Sequence, residues 1–109
     1  MNGIDMNKFN EREQTFEKKF ANDQELQFKV NARKNKYIAE WASKILNKNE
    51  EQTKNYVDEI IKLDFKESGH IDVVKKIKID FENFGVKINQ SEIDNQMELA
   101  LIRAKKDFI

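Results

Sequence analysis

The side chains able to do chemistry are few in kind. His70 is the only histidine and cysteine is absent, which excludes a disulfide framework, a thiolate zinc site and a thiol nucleophile. His70 lies between Gly69 and Ile71 with no second ligand at metal-binding spacing. It reads as an exposed residue of an inter-helix loop or helix start. A di-metal carboxylate bundle needs Glu-x-x-His on two helices, and one histidine cannot supply it. Carboxylates are plentiful, but Glu50 with Lys54 and Asp58 with Lys62 have the i,i+4 spacing of surface ion pairs. None has the apolar setting that splits two carboxylates into acid and base. No glycine-rich phosphate loop is present. The expectation is a non-enzyme without metal or cofactor. Arg33, Lys34 and Lys36 form a small basic cluster, read first as a solvated helix face and second as a weak candidate for nucleotide or phosphate contact.

The more unusual group is aromatic. Phe9, Phe16 and Phe20 are separated by seven and four residues, which puts all three on one side of a helix. Between the first two runs the polar stretch Glu11-Arg12-Glu13-Gln14, able to make paired contacts. Burying three Phe side chains supplies about 1.5–3 kcal/mol each. Ordering the 12–15 residues that carry them costs on the order of 1–2 kcal/mol per residue before hydrogen bonds offset it. The arm therefore needs an extensive surface. Two readings stand side by side: Phe16 and Phe20 dock back as a structural flap, or the segment folds on binding and inserts its aromatic face into another protein.

Positioning such an arm requires a stable body. The chain has 109 residues, enough for one domain. Lys+Arg and Asp+Glu balance at 20 each, without the basic excess of a nucleic-acid binder. No apolar run is long enough to span a membrane, and no signal-peptide stretch is evident, so a cytoplasmic setting is expected. Missing Pro, only three Gly and 37% charged residues point to an all-α protein.

Hydrophobic spacing predicts four amphipathic helices after the arm. The first runs from an N-cap at Asp23 to about Leu46, burying Leu26, Val30, Tyr37, Ile38, Trp41, Ala42 and Ile45. Asn49 and Gln52 predict a capping box for the second, with Tyr56, Val57, Ile60, Ile61 and Phe65 inside and Ser68-Gly69 ending it. The third spans about Asp72 to Phe84, with Phe81 and Phe84 inside, closed by Gly85. A short extended link at 86–88 tucks one side chain under the body. Asn89 with Glu92 predicts a second capping box before a helix presenting Ile93, Met97, Ala100, Leu101, Ala104 and Phe108. Short connections favour antiparallel neighbours. The predicted architecture is an antiparallel four-helix bundle over 23–109, preceded by a mobile or partly helical segment over 1–22.

From Phe9 onward the sequence also resembles a known family. The run from Phe9 through Asp23, then Glu25-Leu26-Gln27-Phe28-Lys29, Ala32-Arg33-Lys34-Asn35-Lys36 and Trp41-Ala42 are similar to the opening of the zeta subunit of alphaproteobacterial F-type ATP synthases. Asp64-Phe65, Gly69 and Gly85-Val86 also fall where that family has them. Asn10, Thr15 and Asn22 stand where it often has Asp, Ala and His. The resemblance implies a four-helix bundle whose N-terminal segment enters a catalytic interface between alpha and beta subunits, near the rotating gamma subunit, and blocks ATP hydrolysis. It implies Phe9, Arg12, Glu13, Phe16, Lys19 and Phe20 as the inhibitory element. It also implies a monomer when free, held at the inner membrane only through the synthase. The alternatives are a non-inhibitory structural or assembly subunit of the same complex, and a nucleotide-sensing helical bundle.

Overall fold

The structure is a computed structural model. It describes the backbone of residues 2–66 and 69–109 and the side chains of residues 11–66 and 69–109. Five helices account for most of it: α1 (Asn2–Asn22), α2 (Gln24–Ile45), α3 (Glu50–Asp64), α4 (Gly69–Phe84) and α5 (Gln90–Lys106). The described residues form no strand, and the all-α expectation holds. The arm, expected as a mobile or partly helical segment, contributes a fifth helix of its own, α1.

Local chemistry explains most of the boundaries. The Asp23 carboxylate accepts a hydrogen bond from the Leu26 N–H and caps α2. Asn49 and Gln52 form the predicted capping box of α3, each side chain accepting from the other's backbone N–H. Helix α2 closes in a Schellman motif, with the Asn47 N–H donating to Lys44 and the Lys48 N–H to Ser43. The left-handed residue there is Asn47, at φ 55°, a conformation that asparagine tolerates better than most side chains. Helix α4 ends identically, with Gly85 at φ 89° and the Val86 N–H donating to Phe81.

Two boundary expectations need correction. Asn89 precedes α5 but its side chain makes no capping hydrogen bond, so the Asn89–Glu92 box does not form. Gly69 opens α4, where it was expected to end α3. A Cβ on Gly69 would lie 2.3 Å from the Asp64 carbonyl oxygen, so glycine is required for close backbone approach of the two helix ends. Consequently α3 stops at Asp64, and Phe65 is 62% exposed against the stacked ring of Phe28. Phe84, also expected inside, is 52% exposed. The i,i+4 ion pairs within 4 Å among the described residues are Glu25–Lys29 and Lys76–Asp80, rather than Glu50–Lys54 and Asp58–Lys62.

Helix α2 packs against α3 and α5, and α4 packs against the same two. These four helices surround one core, containing Ile38, Ala42, Tyr56, Ile60, Ile77, Phe81, Ile93 and Met97. Val86 and Ile88 of the link both pack against it. A smaller second cluster joins Phe16, Val30 and Ala104, and this is where α1 meets the body.

Candidate interaction site

Helix α1 lies folded back on α2. Phe16 and Val30 share one cluster, although fourteen residues of continuous helix would separate them by about 21 Å. Asp23, the one non-helical residue between the two helices, makes the reversal with an extended backbone (φ −112°, ψ 104°). Gln27 secures the corner by donating its side-chain amide to the Phe20 carbonyl at 2.7 Å, covering an acceptor at the α1 C-terminus that has no helical partner.

The aromatic side of α1 is turned inward. Phe16 is 7% exposed, and Phe20, half-buried, stacks on it with ring centroids 6.0 Å apart. Leu26, Tyr37, Leu101 and Phe108 complete the contact. At its edge the Lys105 ammonium sits 3.1 Å from the Glu17 carboxylate and 4.7 Å from the centre of the Phe20 ring. Burial of Phe16 contributes about 1.5–3 kcal/mol. The exposed ion pair adds less than about 1 kcal/mol, and the cation–π contact about 0.5–1 kcal/mol. Against these terms stands the cost of ordering the arm, about 1–2 kcal/mol per residue before helical hydrogen bonds offset it, so the docking of α1 rests on a difference between opposing terms.

The other expected residues of the arm are less enclosed than Phe16. Arg12 and Lys19 are exposed and Glu13 is half-buried. Arg12, Lys19, Thr15 and Phe16 border an open groove of about 650 Å³, whose far wall is Phe108 and Ile109. Phe9 falls within α1, but it lies outside the residues whose side chains are described.

The basic cluster of α2 is dispersed. Arg33 donates to Asp107 at 3.0 Å, and its guanidinium lies over the Phe108 ring. Lys34 is 8% exposed, with its ammonium 3.8 Å from the Asp64 carboxylate, which also accepts from the Asn35 amide. Lys36 alone is exposed. Sequence reasoning placed Lys34 on a solvated face and passed over Asn35 and Ser43, both buried. The spacing did carry a signal, because Asn35, Ile38 and Ala42 share a helical face. Glu17 and Lys105 had none, being 88 residues apart.

Asp107 organises the end of the chain. It accepts hydrogen bonds from the Tyr37 hydroxyl and from Arg33, while the Arg103 guanidinium stacks 3.8 Å from the centre of the Tyr37 ring. The Tyr37 hydroxyl, followed by Arg33 and Arg103, holds the Asp107 carboxyl below the usual carboxylate range. A depressed folded-state value means that this contribution is complete at neutral pH and lost as pH falls through that value. We therefore expect the Asp107 carboxyl, followed by NMR, to titrate below the ordinary carboxylate range, with the Tyr37 and Phe108 resonances moving in step. Titration within the ordinary range would refute the assignment.

Among the described residues, no group of three or more His, Cys, Asp or Glu side chains is placed to hold a metal, and no helix is long and apolar enough to cross a membrane. His70 is exposed in the first turn of α4.

A family model described as ATPase inhibitor subunit zeta matches residues 6–107. The chain belongs to that family. No curated protein sequence gives a match. The span of the zeta-family match includes most of α1 as well as α2–α5. The aromatic arm is thus part of the family pattern and no appendage to it. The match closes at Asp107, the carboxylate that joins Tyr37 and Arg33. The family description names an inhibitor subunit of an ATPase.

Proposed function

We propose that this protein inhibits ATP hydrolysis by the catalytic head of an ATP synthase, using residues 1–22 as the inhibitory segment and residues 23–109 as the anchoring body. The observation that carries the reading is α1 itself. It is a helix whose aromatic pair packs against the body, with Arg12 and Lys19 exposed on the flank beside Phe16, joined to the body at one extended residue and belonging to a family of ATPase inhibitors. In this reading α2–α5 form an antiparallel four-helix bundle, supported by the closed ring of contacts among them. The protein binds as a monomer and reaches the inner membrane only through the synthase, from the cytoplasmic side.

The physical task suits such a helix. A rotary enzyme stops when a wedge resists torque in one direction, and no bond need be made or broken. Phe9, Phe16 and Phe20 fill apolar gaps between alpha and beta subunits near gamma, while Arg12, Glu13 and Lys19 pair with charges there. Arg12 is exposed in the docked helix, so replacing it removes only the contact with the enzyme. Arg12→Ala is expected to weaken inhibition by about 2 kcal/mol, roughly thirtyfold, as for an interfacial hot spot. An unchanged inhibition curve would take Arg12 out of the interface.

The burial of Phe16 within its own chain favours a second reading, a structural or assembly subunit that binds the same complex without inhibiting it. Titrating ATP hydrolysis by the isolated catalytic head with the full chain separates the two. Falling activity supports inhibition; retention on the head in a pull-down with undiminished hydrolysis supports the assembly subunit. Nucleotide sensing through Arg33, Lys34 and Lys36 gains no support, since the first two are committed to Asp107 and Asp64.

A further inference from the structure

The face of α1 that the proposed inhibition needs is the face that α1 now buries. Phe16 is almost wholly enclosed by Val30, Ala104 and their neighbours, and Phe20 is covered on one side by Lys105. A side chain buried in the body is not available to a groove of another protein. We propose that the C-terminal turns of α5 act as a latch, holding α1 in a docked, non-inhibitory state through the Phe16–Ala104 packing and the Lys105 contacts with Glu17 and Phe20. The inference rests on the reading under Proposed function and names the regulation of that same segment.

The latch has the parts of a two-state device. Its hinge is Asp23, whose side chain already caps α2 and so holds the start of that helix whether α1 is docked or free. Its contacts reach α1 from α2 and α5, elements that belong to the body. Its strength is modest, as a switch requires, because the apparent affinity of the inhibitor falls only by the fraction of molecules that are released. Lys105 is the most informative position. It lies on α5, outside the segment assigned to the enzyme, and it touches both Glu17 and Phe20.

The absence of cysteine makes the test direct. Glu17→Cys/Lys105→Cys, linked by a short bismaleimide, fixes α1 in the docked position; the same variant capped with N-ethylmaleimide leaves it free. The linked protein is expected to inhibit ATP hydrolysis by the catalytic head at least about tenfold less well than the capped one, since only released molecules bind. Equal inhibition by linked and capped protein overturns the latch and leaves the inhibitory reading standing. No inhibition by the capped variant or the natural chain removes that reading and the latch with it.

A second variant needs no cross-link. Lys105→Glu places two carboxylates at the seam and is expected to lower the half-inhibitory concentration about three- to tenfold, with Glu17→Lys/Lys105→Glu returning it to the natural value. Lys105→Glu leaving inhibition unchanged or weaker overturns the proposal.

Discussion

Phe81→Ala is expected to remove about 3–5 kcal/mol of stability, the usual cost of truncating a fully buried Phe. Phe81 is 0% exposed, and the Trp41 ring lies tilted against it with centroids 5.5 Å apart. Its neighbours in the core come from α2, α3 and α5 as well as its own helix, so no single element can shift to fill the space. A domain of this size has about 5–15 kcal/mol in all, and the loss is a large share of it. Trp41 is the only tryptophan, which makes its fluorescence a reporter of this packing. Denaturant unfolding followed at Trp41 should show a much lower midpoint with little change in slope. A loss below about 1 kcal/mol would mean that the site collapses around the missing ring.

Phe81 was legible in the sequence because it repeats the step of four after Ile77 on a helix whose other side is charged. The same reasoning failed for Phe84 and Phe65, and the failures have a common cause. Phe84 closes α4 and Phe65 follows the last residue of α3, where the apolar stripe continues but the neighbouring helix covers it only in part, as the single stacked ring of Phe28 does for Phe65. Periodicity states which face is apolar and not how far the partner extends. Gly69 failed for a related reason. Glycine ends helices by adopting positive φ, as Gly85 does, but it also permits close backbone approach, and only the 2.3 Å clash at Asp64 distinguishes the two uses. Asn49 and Asn89 make the point for caps. Each is followed three residues later by Gln or Glu, yet only Asn49 makes the side-chain bond.

The arm was legible in half. The spacing of Phe16 and Phe20 placed them on one side of a helix, and their rings do stack. Their destination was not readable. The docked position depends on Val30, Leu101 and Ala104, and on a charge pair spanning 88 residues, contacts that exist only once α2 and α5 lie side by side. Under the proposed latch, the two readings left open by composition describe two positions of one helix. The flap is the docked position that the structure contains, and insertion into a partner is the position proposed for inhibition.

Removing residues 1–20 is expected to abolish inhibition while leaving the body folded. The central core contains no residue of α1, so the packing of α2–α5 around it survives the deletion. What is lost is the Phe16 side of the second cluster, worth about 1.5–3 kcal/mol of burial. The entropy of ordering those residues is lost with it, at about 1–2 kcal/mol each before helical hydrogen bonds offset it. The two terms oppose, and the net change in stability should stay within about 2 kcal/mol. Inhibition faces no such cancellation, because Arg12, Glu13, Phe16, Lys19 and Phe20 leave together. Interfacial anchors contribute about 2 kcal/mol or more each, so losing several shifts inhibition by at least about a hundredfold. The deletion also uncovers Leu101 and Phe108, apolar side chains now packed beneath α1. Comparing chains that begin at Met1 and at Ala21, by thermal unfolding and by titration of ATP hydrolysis, tests both halves. Equal inhibition by the two would place the inhibitory contact on the body. Loss of inhibition together with loss of cooperative unfolding would instead make α1 an integral part of the fold.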